Sequence, residues 1–282
     1  MSCVIPLALA MTWTVQAESD AQSGAKLAKA WVKVCTARAK DFRIHPAGKA
    51  DEEFRLLPSP VFYQNQPVRG DDIGAVYVWV HRDGRPAVIG AIFGFSRSWI
   101  TDGSRTVLHE MHSLAQVPLT AVWHGRPTTI KVHFEWKPIS DAPAPAESAT
   151  QRLRQMRLLS RRFHGHSIDH SGRRWELRLI PRPLYHYQAK GNDLVLGGGL
   201  FAFCQGTDTE IVLALQARQT ADGYRWHYGC ADFSDYGLYM RSDEAEVWKS
   251  PRPFKSGLKW TLHFTRVKLP DDDKNRQKTQ EE

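Results

Sequence analysis

Phe54-Arg-Leu-Leu-Pro-Ser-Pro-Val-Phe-Tyr63 and Leu177-Arg-Leu-Ile-Pro-Arg-Pro-Leu-Tyr-His-Tyr187 are two versions of one pattern. Each combines an apolar run, a Pro-x-Pro and a cluster of aromatic residues, and each precedes strand-like segments in the same order. Because proline donates no backbone hydrogen bond, each stretch is predicted to be an edge strand, or a strand that ends in an extended kink. The recurrence predicts that the chain is a tandem duplication.

The segments that follow the two stretches have the apolar composition of strands. Ala75–Val80 and Ala87–Phe93 are predicted strands, and Asp83-Gly84 between them is typical of a hairpin turn. Gly199–Cys204 and Glu210–Ala217 take the corresponding places after the second stretch. Strands joined by such short turns are predicted to pair antiparallel, since parallel pairs need long crossover connections.

A helix is predicted before each set of strands. Residues 23–40 repeat apolar residues at helical spacing, and Ser148 with Gln151 three residues later is a capping pattern that begins a second helix. The apolar stripe of that second helix comprises Leu153, Met156, Leu159 and Phe163. The predicted fold class is therefore α+β, with each unit a helix packed on a curved antiparallel sheet of about six strands.

The predicted units are residues 18–140 and 141–270, joined by a Pro- and Ala-rich linker. The polar residues 271–282 are predicted to form a disordered tail. Residues 1–17 are predicted to be a signal peptide, because Val4–Val15 is mostly apolar but too short to span a bilayer, and small residues precede Glu18. Secretion or a periplasmic location follows from that prediction; a cytoplasmic location is the alternative, since no basic residue precedes Lys26.

The cysteines do not form a disulfide framework. After cleavage of the predicted signal peptide an odd number would remain, namely Cys35, Cys204 and Cys230. Cys204 and Cys230 fall in predicted neighbouring strands, so one bridge could form between them. Buried free thiols are the interpretation that the sequence favours.

The chain is basic, with a formal net charge of +8 and a pI near 9.4. Its most basic segment is the second helix, whose arginines are Arg152, Arg154, Arg157, Arg161 and Arg162. One hypothesis is that this helix binds a polyanion through Arg154, Arg157 and Arg161. The alternative, which we favour, is that its apolar stripe packs on a sheet while the arginines are solvated.

Two histidine clusters invite a comparison with metal sites. His109-Glu-Met-His112 has the wrong spacing for a zinc-protease helix, and in the strand predicted there Glu110 and His112 share one face while His109 points the other way. His164-Gly-His166 and Asp169-His170 are predicted to lie in a solvated loop, where neighbouring arginines oppose a bound cation. No metal site is predicted.

The sequence contains no recognisable catalytic motif. Gly94-Phe-Ser96 lacks the second glycine of a nucleophile elbow, and Gly197-Gly-Gly199 precedes a strand, which predicts a turn or bulge rather than a phosphate loop. No cofactor is predicted. The leading hypothesis is a non-enzymatic exported protein that binds or assembles in the cell envelope, with an anionic polymer or another envelope protein as partner. The alternative is a hydrolase or metal-dependent enzyme with a site between the two units.

Several segments together resemble a known group of proteins. These are Arg152-Leu-Arg-Gln-Met-Arg157, Glu176-Leu-Arg-Leu-Ile-Pro-Arg-Pro-Leu-Tyr185, Gly199-Leu-Phe-Ala-Phe203 and Gly206-Thr-Asp208. They are similar to segments of a family of uncharacterised, often exported proteins found in planctomycete genomes. The resemblance implies a bacterial source and an export signal, and it implies no activity, cofactor or site residue.

Overall fold

The computed structural model describes residues 26–66, 72–95, 104–251 and 261–268. Strands make up 53% of the structure and helices 13%, so the protein is mostly β and the predicted α+β class is wrong. The predicted signal peptide, residue Ser96 and the predicted tail lie outside the described residues. Among the described residues, no helix is both long and apolar enough to cross a membrane.

The described residues contain two helices, α1 at residues 26–40 and α2 at Ala149–Ser160. The strands are β1 (Phe42–Pro46), β2 (Arg55–Leu56), β3 (Phe62–Gln66), β4 (Asp72–Val80), β5 (Pro86–Phe95), β6 (Arg105–Ser113), β7 (Leu119–Trp123), β8 (Arg126–Ile130), β9 (Lys137–Pro138), β10 (Phe163–Ile168), β11 (Arg174–Glu176), β12 (Arg178–Leu179), β13 (Tyr185–Gln188), β14 (Val195–Gln205), β15 (Asp208–Thr220), β16 (Gly223–Asp232), β17 (Gly237–Ser242), β18 (Ala245–Ser250) and β19 (Thr261–Val267).

The described strands form four sheets, whereas one sheet of about six strands was predicted for each unit. Large sheet 1 has the order β19-β6-β5-β4-β2 with β3 also on β4, and large sheet 2 has the order β12-β14-β15-β16-β9 with β13 also on β14. The small sheets have the orders β1-β7-β8 and β11-β10-β17-β18. All pairs between these strands are antiparallel, as predicted.

The last strand of each large sheet explains why the predicted helix-on-sheet units are wrong. β9, from the predicted first unit, pairs with β16, and β19, from the predicted second unit, pairs with β6. Each large sheet thus includes a strand from the other part of the chain, and the remaining strands of each predicted unit divide between a large and a small sheet.

The two Pro-x-Pro stretches lie at the edges of the large sheets, as their prolines predicted. β2 and β3 flank Pro58 and Pro60 and both pair with β4. Around this interruption Leu57 and Val61 still donate backbone hydrogen bonds to β4, at 2.9 and 2.8 Å. β12 and β13 pair with β14 in the same way, on either side of the second stretch. Each stretch is therefore an edge strand broken by its prolines.

The two large sheets pack face to face, and the helices cover their outer faces. Val76, Val78 and Val80 of β4 lie in one apolar cluster with Leu200, Val212 and Ala214 of large sheet 2. The alternate residues of β4, including Tyr77 and Trp79, lie in a cluster with Trp31 of α1. On the far side, Phe201 and Phe203 pack with Met156 and Leu159 of α2. The layer order is α1, large sheet 1, large sheet 2, α2. The aromatic side chains of β4 and β14, namely Tyr77, Trp79, Phe201 and Phe203, therefore belong to the core.

Two hairpin turns have glycine where the backbone is left-handed. Gly84, between β4 and β5, has a φ of +89°, and Gly223, between β15 and β16, has a φ of +92°, which is the left-handed backbone that glycine favours. The register of β14 shifts between Val195 and Gly197, which agrees with the turn or bulge predicted there. The β4–β5 turn contacts the second large sheet, where Tyr185 donates a hydrogen bond to the carbonyl of Gly84 at 2.9 Å.

Candidate functional site

Strand β6 presents its two faces to different partners. His109 packs edge-on against Phe42 and Trp123 in the cluster beneath α1, with ring centroids 5.6 and 5.2 Å away. Glu110 and His112 are two residues apart and contact each other, with 3.6 Å between Oε1 and Nε2. The predicted separation of His109 from the other two side chains is therefore confirmed, and it follows from the two-residue period of a strand.

His112 lies at the centre of a buried polar group between the large sheets. Its Nδ1 is 3.9 Å from Asp232 Oδ1, and its ring stacks on Phe233 with the centroids 4.1 Å apart. Asp232 accepts a hydrogen bond from the Ser250 hydroxyl at 2.6 Å. β6, β16 and β18 therefore each contribute a side chain to this group.

Burial controls the charge of Glu110 and His112. Desolvation raises the pKa of Glu110 well above its usual value, and the nearby carboxylates of Asp208 and Asp232 add to that shift. Desolvation lowers the pKa of His112 to about 4, against a smaller opposing effect of Asp232. Both shifts favour the uncharged form, so the contact between the two side chains is a neutral contact rather than an ion pair.

A cleft opens beside this group. Its inner part is lined by His112, Ser113, His133, Cys230 and Asp232 and has a volume of about 20 Å³, enough for a water molecule. His133 and Cys230 also line the adjoining outer part, which has a volume of about 390 Å³. The buried polar groups therefore line a small inner part beside a larger outer part.

The outer part of the cleft combines an aromatic wall with charged residues. Tyr228 and Trp248 line it together with Lys137 and Lys249. Lys249 is paired with Glu246 at 3.0 Å, and Lys137 with Glu135 at 3.5 Å, so these charges are partly neutralised. The lining therefore favours a ligand that is polar but carries little net charge.

A glycine allows the segment that forms one wall to approach β16. The segment of residues 131–136 runs between β8 and β9, and its Phe134 is buried between the large sheets. A side chain at Gly229 of β16 would collide with the Phe134 ring and with the carbonyl oxygen of Glu135. The absence of a Cβ at Gly229 thus sets how closely this wall packs.

Three groups in or beside the cleft could act as nucleophiles. The Ser113 hydroxyl bonds the backbone of Ala115, and the Ser250 hydroxyl donates to the Asp232 carboxylate. Burial raises the pKa of the Cys230 thiol, which keeps it protonated and a weak nucleophile.

The His164-Gly-His166 part of the second histidine cluster lies in a strand, so the prediction of a solvated loop is wrong for these residues. His164 and His166 belong to β10, because the segment pairs with both β11 and β17. His166 is buried and stacks on Tyr239 with the centroids 4.8 Å apart, while His164 is exposed. His170 is paired with Asp235 at 3.0 Å in the turn that follows.

The arginines of α2 divide into two kinds. Arg152 is buried and donates to the backbone carbonyls of Ala146 and Glu147, so its prediction as a solvated residue is wrong. Arg154, Arg157 and Arg161 are exposed and form no ion pair in the part of the chain that the structure describes. The predicted N-cap at Ser148 is confirmed, since its hydroxyl accepts from the backbone N–H of Gln151 at 3.3 Å.

The described cysteines are free. Cys35, Cys204 and Cys230 are all buried, and β15 separates the strands of Cys204 and Cys230, so the prediction of neighbouring strands is wrong. Sequence analysis also missed Asp232, Tyr228 and Trp248 as parts of the cleft. Their positions depend on the pairing of β16 with β9 and of β17 with β18, which no local pattern indicates.

Comparison with known proteins adds no relative. No family model, curated protein or solved structure matches the chain. Within the described ranges, no group of three or more His, Cys, Asp or Glu side chains is placed to hold a metal ion.

Proposed function

We propose that the protein is a non-enzymatic binding protein of the cell envelope that takes a small, polar, hydroxyl-rich ligand into the cleft. The observation that carries the proposal is the composition of that cleft. Hydrogen-bonding groups of His112, Ser113 and Asp232 line its small inner part, and Trp248 lines its larger outer part. An aromatic face beside convergent polar groups suits a molecule with both hydroxyl groups and an apolar face, such as a sugar.

The contacts of Ser113 and Cys230 support binding over catalysis. The Ser113 hydroxyl bonds the backbone of Ala115, and burial keeps the Cys230 thiol protonated. The location in the envelope rests on the predicted signal peptide of residues 1–17 and on the resemblance to often exported proteins.

The experiment is a binding screen with neutral mono- and disaccharides, followed by tryptophan fluorescence and ligand-detected NMR. Trp248→Ala should weaken binding of a hit about five- to thirtyfold, as the loss of a stacking face of about 1–2 kcal/mol requires. Tyr63→Ala removes an exposed aromatic side chain, 58% accessible, away from the cleft and should leave affinity unchanged. Equal affinities of wild type and Trp248→Ala would contradict the proposal, and turnover of a hit would favour the hydrolase hypothesis instead.

A second candidate function is polyanion binding through α2. It is favoured by the exposure of Arg154, Arg157 and Arg161, which have no ion-pair partner among the described residues. Residues 149–160 contain no acidic side chain that would neutralise them. Replacement of the three arginines by Gln should therefore lower retention on a heparin column, and unchanged retention would contradict this function.

A further inference from the structure

Helix α1 carries a lysine stripe on its exposed face. Lys29, Lys33 and Lys40 are exposed, while Trp31, Cys35 and Ala39 on the opposite face are buried in the core. At about 100° per residue the three lysines fall within a narrow sector of the helix. No acidic residue occurs in residues 26–40, and none of the three lysines has an ion-pair partner in the described structure.

Helix α2 carries a corresponding arginine stripe. Arg154, Arg157 and Arg161 recur at three- and four-residue spacing and are exposed, while Met156 and Leu159 are buried beneath them. The other basic side chains of this segment serve the fold. Arg152 binds backbone carbonyls, and Arg162 pairs with Asp243 at 2.8 Å.

The two stripes face opposite directions. Alternate residues of β4 separate the sides of large sheet 1, because Tyr77 packs towards α1 and Val78 packs towards large sheet 2. In the same way Phe201 of β14 packs towards α2 and Leu200 towards large sheet 1. The helices are therefore separated by both large sheets, or about 30 Å if each of three layer spacings is about 10 Å. A straight polymer that lies along one stripe cannot contact the other.

From these two faces we infer that the protein bridges two chains of a linear anionic polysaccharide, one on the α1 lysines and the other on the α2 arginines. The inference rests on the second candidate function and extends it to α1. Charge complementarity selects an anionic partner. Both helices bury their apolar faces, so neither is available to insert into a bilayer, and the two stripes contain no aromatic side chain on which nucleic acid bases could stack.

The test is a sandwich assay with heparin as the probe. Protein is captured on immobilised heparin, washed, and then offered fluorescent heparin. Wild type should bind the surface and retain the fluorescent chain. Lys29→Gln/Lys33→Gln/Lys40→Gln and Arg154→Gln/Arg157→Gln/Arg161→Gln should each still bind the surface but capture at least tenfold less fluorescent heparin. The variant that combines all six changes should lose surface binding.

A control variant tests whether the loss of three positive charges anywhere on the surface has the same effect on capture. Arg126→Gln/Arg182→Gln/Arg225→Gln removes three exposed positive charges outside both helices and should capture fluorescent heparin like wild type. Thermal unfolding should show that every variant folds. If wild type binds the surface but captures no second chain, bridging is overturned while polyanion binding stands; if it binds no heparin, both fail. The inference is also overturned if the helix variants capture as much fluorescent heparin as wild type or as the control variant. It is overturned as well if the protein aggregates phosphatidylserine vesicles, or captures DNA, but does not capture heparin.

Discussion

Glu110 and His112 lie 3.6 Å apart between the two large sheets, and burial holds both in their uncharged forms. The two pKa values move in opposite directions, upwards for the acid and downwards for the base. Linkage then lowers the His112 contribution to stability as the pH falls and the Glu110 contribution as the pH rises.

His112 should destabilise the protein in acid. Its pKa in the folded protein is about 4, below the usual 6.5, so its contribution to stability is present above pH 6.5 and is lost as the pH falls through 4. The loss should approach about 3 kcal/mol of unfolding free energy. Urea unfolding between pH 7 and 4 measures it. His112→Asn should flatten this part of the profile, whereas His164→Asn, at an exposed position, should not.

Glu110 should destabilise the protein at higher pH. Its pKa is raised in the folded state, so its contribution is fully present below the unfolded pKa and is lost as the pH rises through the folded pKa. Glu110→Gln keeps the shape and cannot ionise, so the decline of unfolding free energy with rising pH should become shallower. Glu135→Gln, at a side chain that is 75% exposed, serves as the control. Equal slopes for wild type and Glu110→Gln would contradict a buried protonated carboxyl.

Gly229 should be intolerant of a side chain. In Gly229→Ala the new methyl group meets the Phe134 ring and the Glu135 carbonyl, so the wall of the cleft must move. We expect a loss of about 1–3 kcal/mol in unfolding free energy, as is usual for overpacked sites. Gly237→Ala is the matched control, because the nearest atom to a Cβ there is 3.4 Å away, an ordinary contact. Denaturant titration compares the two variants.

Arg152 and Arg154 should differ although they are two residues apart on one helix. Arg152→Met removes the donor to two backbone carbonyls and should cost about 1–3 kcal/mol of unfolding free energy. Arg154→Met changes an exposed side chain and should stay within about 0.5 kcal/mol of wild type. The reverse order of the two losses in chemical denaturation would show that the Arg152 contacts are not stabilising.

The buried cysteines should react only when the protein opens. Burial raises the pKa of Cys35 and of Cys204 to about 12 each, so the thiolate that reacts with alkylating agents is rare at neutral pH. Native protein treated with iodoacetamide should show little label at Cys35, Cys204 or Cys230 by peptide mass spectrometry, and urea should expose all three. Rapid labelling of one of them in native protein would identify a locally open segment.

Local patterns predicted local structure and failed at longer range. The hairpin at Asp83-Gly84, the N-cap at Ser148 and the opposite directions of His109 and His112 follow from neighbouring residues, and each prediction was confirmed. The fold class was wrong because strand pairing between distant segments decided it. Nothing in the sequence near residue 137 indicates that it pairs with residue 228.

The candidate site was predicted only in part for the same reason. Alternation along β6 placed Glu110 and His112 together, but their partner Asp232 lies on a strand more than one hundred residues later. His166 was missed as a buried residue because the apolar residues that cover it, such as Tyr239, come from β17. Long-range sheet pairing therefore set both the site and the limits of sequence analysis.

The pairing of β19 with β6 has a consequence for biosynthesis. While the ribosome makes the chain, β6 emerges long before β19, so its outer edge has no strand beside it during that interval. The first large sheet can close only after Thr261–Val267 has been synthesised, which makes folding non-local and slow. A chaperone that holds this edge would therefore act on the growing chain at β6.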